Sequence, residues 1–150
     1  MKNYGEVLAD ALGGFLISYK EYGSYQGDYV AIIEKAQEWY IYKGHYGSCS
    51  GCDWFSGVGE YDDENYGRKN IAQKDIDEYL KENIPFLVIP KDQIPESISD
   101  LEALLPANSR TVQTESYDEV EFSPFLWKQM HNPEFDKLDY LEHKHEENSK

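Results

Sequence analysis

Apolar residues fall along the first third of the chain in two different rhythms. In residues 4–12 (YGEVLADAL), Val7, Leu8, Ala11 and Leu12 recur at helical spacing. The segment predicts a short helix, and Gly13-Gly14 ends it, because glycine readily takes the left-handed conformation that closes a helix. The rhythm then changes. FLISY at 15–19, YVAII at 29–33 and WYIYK at 39–43 are β-branched or aromatic runs of strand type. In the last of these Trp39 and Ile41 point to one face, and Tyr40 and Tyr42 to the other. Gly23 and Gly27 interrupt the first connection, and residues 34–38 make the second as a hairpin. The segment 15–43 therefore predicts a three-stranded antiparallel meander.

Beyond it the periodicity weakens. Residues 44–70 are rich in Gly, Ser and acidic residues and read as a long loop with at most one helical turn. Ile76, Tyr79 and Leu80 give helical spacing within 71–82. PFLVIP at 85–90 predicts a short extended strand, since Pro85, Pro90 and Pro95 each force the preceding Ile out of the helical region. Ser97 is placed to cap a helix over 98–105 that Pro106 ends. Ser123 followed by Pro124 predicts a second capped start, with Phe122 and Trp127 able to staple across it, and Asn132-Pro133 as the stop. Phe135, Leu138 and Leu141 suggest one more short helix, after which residues 143–150 form a polar, frayed tail. The expected fold is α+β: an antiparallel sheet of three to four strands with helices packed on one face, in a single domain spanning 1–150 without internal repeats.

Composition narrows the function. A chain of 150 residues can bury about 70% of its unfolded surface, so it folds without a metal or disulfide. Its net charge is −15. Residues 1–60 hold 4 basic against 8 acidic side chains, 61–100 hold 5 against 10, and 101–150 hold 5 against 11, so the acidity is spread through the chain. Such a surface repels a phosphate backbone, and no Lys/Arg stripe opposes that, which excludes direct nucleic-acid binding. It suits either simple solubility or a basic surface on another protein. No run approaches 18 apolar residues and no apolar leader follows the first Lys, so neither a membrane span nor a secretory signal is expected. With only Cys49 and Cys52 as cysteines, a secreted disulfide scaffold is not expected and the cytoplasm is the natural compartment.

The segment YGSCSGCDW at 46–54 is the one with candidate chemistry. Its C-x-x-C follows a predicted strand, the position at which a helix start could lower a thiol pKa, but no βαβ context surrounds it and Asp53 would raise that pKa. For zinc, His45, Cys49 and Cys52 offer three ligands where a structural site wants four. Asp53, His131, His143 or His145 would have to complete it. The simpler reading makes Cys49 and Cys52 reduced, metal-free packing residues between Gly47 and Gly51, with His45 a surface residue at a strand end, and it needs no cofactor. Gly57-Val58-Gly59 lacks the rest of a phosphate loop. The acidic run from Glu60 through Asp62, Asp63 and Glu64 fails as a calcium loop, because counting from Asp63 puts Lys74 where a bidentate Glu is required.

GSYQGDYVAIIE followed by WYIYKGHYGSCSGCDW resembles a group of small, mostly uncharacterised bacteriophage and prophage proteins. These share a glycine-serine-tyrosine-x-glycine segment, here Gly23, Ser24, Tyr25 and Gly27, and a G-S-C-S-G-C-D signature, here Gly47 to Asp53. The likeness covers residues 22–54, and no activity comes with it. It implies a phage-type accessory gene. Charge, resemblance and the lack of a catalytic set converge on an expectation. The protein is a non-enzymatic, acidic protein that binds a basic, nucleic-acid-binding host protein, such as a nuclease of a defence system, as a nucleic-acid mimic or inhibitor in the host cytoplasm. The candidate contact residues lie in the two dense acidic clusters: Asp62, Asp63 and Glu64, and Glu115, Asp118, Glu119 and Glu121, with Tyr117 and Phe122 as anchoring aromatics. The alternative is a thiol- or zinc-dependent activity at His45, Cys49 and Cys52.

Overall fold

The computed structural model of the chain describes residues 4–23, 27–46, 60–62, 67–70, 77, 78, 81, 84–113 and 119–135. Helix α1 (Tyr4–Leu12) leads into strands β1 (Phe15–Gly23), β2 (Gly27–Lys35) and β3 (Glu38–Tyr46). Two short strands, β4 (Glu60–Asp62) and β5 (Gly67–Asn70), pair with each other. Strand β6 (Leu87–Pro90), helix α2 (Ile98–Leu104), the hairpin strands β7 (Thr111–Gln113) and β8 (Glu119–Glu121), and helix α3 (Ser123–His131) complete the order. Asp77, Glu78 and Lys81 are helical, inside the span expected for a helix.

The main sheet is antiparallel throughout, in the order β1-β2-β3-β6. The α+β class and the meander are as the sequence predicts. The strands run further than expected, nine residues each for β1, β2 and β3. The β2–β3 turn explains why that hairpin is so tight. Lys35 faces Glu38, and both intervening residues, Ala36 and Gln37, sit at positive φ (53° and 67°). That is the conformation whose twist matches a two-residue hairpin, usually built with Asn-Gly.

The helices do not share one face of the sheet. The cause is β2, whose Tyr29, Val30, Ala31, Ile32 and Ile33 are all buried. A strand apolar on both sides needs cover on both sides. Tyr29, Ala31 and Ile33 pack with Tyr42 against Val7, Leu8 and Ala9 of α1. Val30 and Ile32 pack with Trp39 and Ile41 against α2 and α3 through Leu101, Phe125, Leu126 and Met130. Each fully buried aliphatic side chain here contributes about 1.5–3 kcal/mol. Leu16 stands on the α1 face and Ile17 on the opposite core, and a register shift between Leu16 and Ser18 brings Ser18, opposite Ile32, to the Ile17 side as well. Gly44 is needed on the α1 face, because a Cβ there would meet the buried Tyr29 ring at 2.5 Å.

Helix ends follow the chemistry read from the sequence, with one exception. Gly13 (φ 73°) closes α1. Ser97 caps α2 by accepting from the Asp100 N–H at 3.1 Å. At α3, however, Phe122 holds the cap position, no side chain caps the turn, and Ser123 is itself helical and buried. Proline near the start and burial of Phe122 in the core fix this end without a hydroxyl cap. The stretch expected to be a loop, 44–70, holds the β4–β5 pair and the end of β3. Its Gly- and Asp-rich composition carries no strand signal. The last predicted helix and the polar tail lie outside the described residues, except for Phe135, which is buried.

Candidate functional site

Of the two acidic clusters, the second has a described framework. β7 and β8 form a hairpin in which Thr111 faces Glu121, Val112 faces Val120 and Gln113 faces Glu119. Strand alternation decides the rest. Val112 is buried and Val120 packs against the core, so Glu119 and Glu121 point to solvent, where both are exposed. Side chains two residues apart on a strand stand about 6.6 Å apart. The two carboxylates thus form an ordered pair on one face. Among the described residues no cation pairs with either, whereas Asp28 and Glu34 are each engaged by a lysine. Glu115, Tyr117 and Asp118 lie outside the described residues, as do Asp63 and Glu64, while Asp62 ends β4 opposite Gly67. Phe122 cannot serve as an anchoring aromatic. It is fully buried, edge-on to Tyr22 with centroids 5.9 Å apart, because it begins the turn from β8 into α3 over the core.

The hairpin is fastened to the sheet at its polar end. Tyr22, Asp28 and His45 are register partners across β1, β2 and β3, with Lys43 one step along β3 on the same face. Asp28 is buried, its carboxylate in contact with the His45 Nδ1 through Oδ1 and 3.9 Å from the Lys43 Nζ through Oδ2. That Asp28 bond lifts the His45 imidazole above its ordinary value, partly opposed by desolvation. Lys43 Nζ also donates to the Thr111 carbonyl at 2.7 Å and lies 5.9 Å from the centre of the Phe122 ring. The backbone adds a bond from the Phe122 N–H to the Arg110 carbonyl at 2.7 Å. Behind these, the Tyr22 hydroxyl donates to Gln129 Oε1 at 2.8 Å and Gln129 Nε2 donates to the Val30 carbonyl at 3.2 Å, tying α3 to the sheet through a buried relay.

His45 is at a strand end with its side chain 81% exposed, the surface position expected for it. Its partnership with Asp28 was not expected; the hint was a lone carboxylate at the head of the apolar run GDYVAII. Cys49 and Cys52 lie outside the described residues, and among the described residues no group of three or more His, Cys, Asp or Glu side chains could hold a metal ion. Among the described residues, too, no helix is long and apolar enough to cross a membrane. No protein-family model matches the chain, and no curated protein or solved structure is significantly similar to it.

Proposed function

We propose that the protein acts without catalysis, by stoichiometric binding of a basic, nucleic-acid-binding protein, with the β7–β8 hairpin as part of the contact surface. The observation that carries this reading is the outward pair Glu119 and Glu121, held in fixed register on a hairpin whose other face is buried. Ordered carboxylates on a −15 chain can stand where phosphates stand in the partner's groove. Charge complementarity of this kind speeds association and fixes orientation more than it deepens affinity. On this reading the protein is a phage-type accessory factor working in the host cytoplasm, and a nuclease of a defence system is the fitting kind of target.

The test is capture. Immobilised wild-type protein and a Glu119→Lys/Glu121→Lys variant are each offered a bacterial lysate, and the retained fraction is challenged with duplex DNA and with salt. The expected result is a basic protein held by the wild type, displaced by both, and lost with the variant. Retention indifferent to DNA and to salt, or turnover of a small molecule by the isolated protein, would overturn the proposal.

A further inference from the structure

We infer that Lys43 is the positioning residue of the acidic hairpin: its ammonium group ties the β7 backbone to the central sheet and so sets where Glu119 and Glu121 stand. This rests on the hairpin being the contact surface. The hairpin has little else to hold its polar half. Two three-residue strands are not stable alone. Val112 and Val120 give the pair an apolar underside. That burial resists lifting, and the buried Phe122 after β8 holds the open end, but apolar contact is not directional and leaves the orientation of the pair to be set. The Lys43–Thr111 bond supplies direction. It reaches the carbonyl of the residue that faces Glu121 in the ladder, so it acts within Glu121's own residue pair and two pairs from that of Glu119.

Lys43 is built for this task. Its side chain is only 13% exposed, so the stem is held in place by packing, while the bond to Thr111 itself lies at the surface. The aliphatic stem comes off the central strand β3, the charge lies over the Phe122 ring at the same open end of the hairpin as Thr111, and the buried Asp28 carboxylate balances it at 3.9 Å. One cation therefore touches the sheet, the first strand of the hairpin and the residue that follows its second strand. A bond between a charged donor and a carbonyl is among the stronger hydrogen bonds of a folded chain.

The experiment compares wild type, Lys43→Met and Lys43→Arg in the full chain by amide hydrogen exchange. Methionine keeps the stem and removes the donor; arginine restores a donor. Lys43→Met is expected to speed exchange of the β7–β8 amides by about ten- to a hundredfold, with the amides of β2 little changed, and Lys43→Arg to recover most of the protection. Equal acceleration in β2 and the hairpin, or none in the hairpin, would overturn the inference. If Lys43→Met fails to fold, hairpin exchange in Lys43→Arg as fast as in Lys43→Gln would overturn it too. Binding to poly-L-lysine gives a second readout. The penalty of the Glu119→Lys/Glu121→Lys change should shrink in the Lys43→Met background, because a misplaced pair has less to lose. If that charge reversal has no effect even with Lys43 present, the contact surface lies elsewhere, while the exchange data still decide whether Lys43 positions the hairpin.

Discussion

The central sheet and the β7–β8 hairpin are both antiparallel, yet opposite means hold them. In the sheet, strands of nine residues are paired along their length, and β2 is buried on both faces. A one-residue slip would swap its two apolar sets between cores of different shape, so register is strongly fixed. The hairpin strands have three residues each, one buried face and one acidic face. Its position depends on a few particular contacts: Val112 and Val120 below, the Phe122–Arg110 backbone bond at its ends, and the Lys43–Thr111 bond. The lesson is a division of labour. The sheet spends its side chains on stability, while the hairpin leaves its outward side chains available for a partner.

That contrast can be broken by substitution. Ile32→Ala, in the centre of the sheet, is expected to cost about 2–5 kcal/mol in chemical denaturation, because Ile32 is fully buried between both neighbouring strands and α3's core. Val120→Ala, on the half-buried underside of the hairpin, should cost about 1 kcal/mol. Equal costs would mean that the hairpin is as much part of the core as the sheet. Tyr22→Phe comes next. It removes the hydroxyl that serves Gln129 Oε1 in a buried site, and a loss of about 1–3 kcal/mol should appear in thermal or denaturant unfolding. Gln37→Gly works the other way. It relieves a non-glycine residue at φ 67° and should stabilise the β2–β3 turn by about 1 kcal/mol, read as a higher melting temperature.

The smallest effect expected is that of pH at the polar end. The His45 imidazole is raised in the folded state by its bond to Asp28, so its contribution is complete below the unfolded value of about 6.5 and is lost as pH rises through the higher folded value. Its exposure keeps the size small. Glu34 has the opposite sign. Its bonds from Trp39 and Lys91 lower its pKa, so its contribution is present above the unfolded value near about 4.3 and fades as pH falls through the folded one. Melting temperature followed through the neutral range should decline slightly for wild type, and less for His45→Gln. Identical slopes would remove His45 from the account.

Much of the scaffold was legible and most of the site was not, for physical reasons. α1, α2 and the three central strands announce themselves through periodicity, Gly13 and Ser97. The five-residue apolar run of β2 was plain as well, but its consequence, helices on both faces, needs the whole strand to be weighed as two faces at once. β4 and β5 carry Gly, Asp and Asn, which have no strand signature. The Asp28–His45–Lys43 group depends on register, and the register depends on the Ala36-Gln37 turn, which lacks the Asn-Gly signal of its type. Glu119 and Glu121 were picked out by charge density alone; that Val120 between them faces inward, and that Phe122 is buried instead of exposed, are facts of packing.

The central claim is that the outward carboxylates of the hairpin steer a basic partner. The most direct measurement is the association rate of the captured partner with wild type and with Glu119→Lys/Glu121→Lys, followed against salt concentration. The account predicts a wild-type rate that falls steeply with salt, a slower and flatter rate for the variant, and unfolding stabilities within about 0.5 kcal/mol of each other. Rates that are equal at every salt concentration would contradict it.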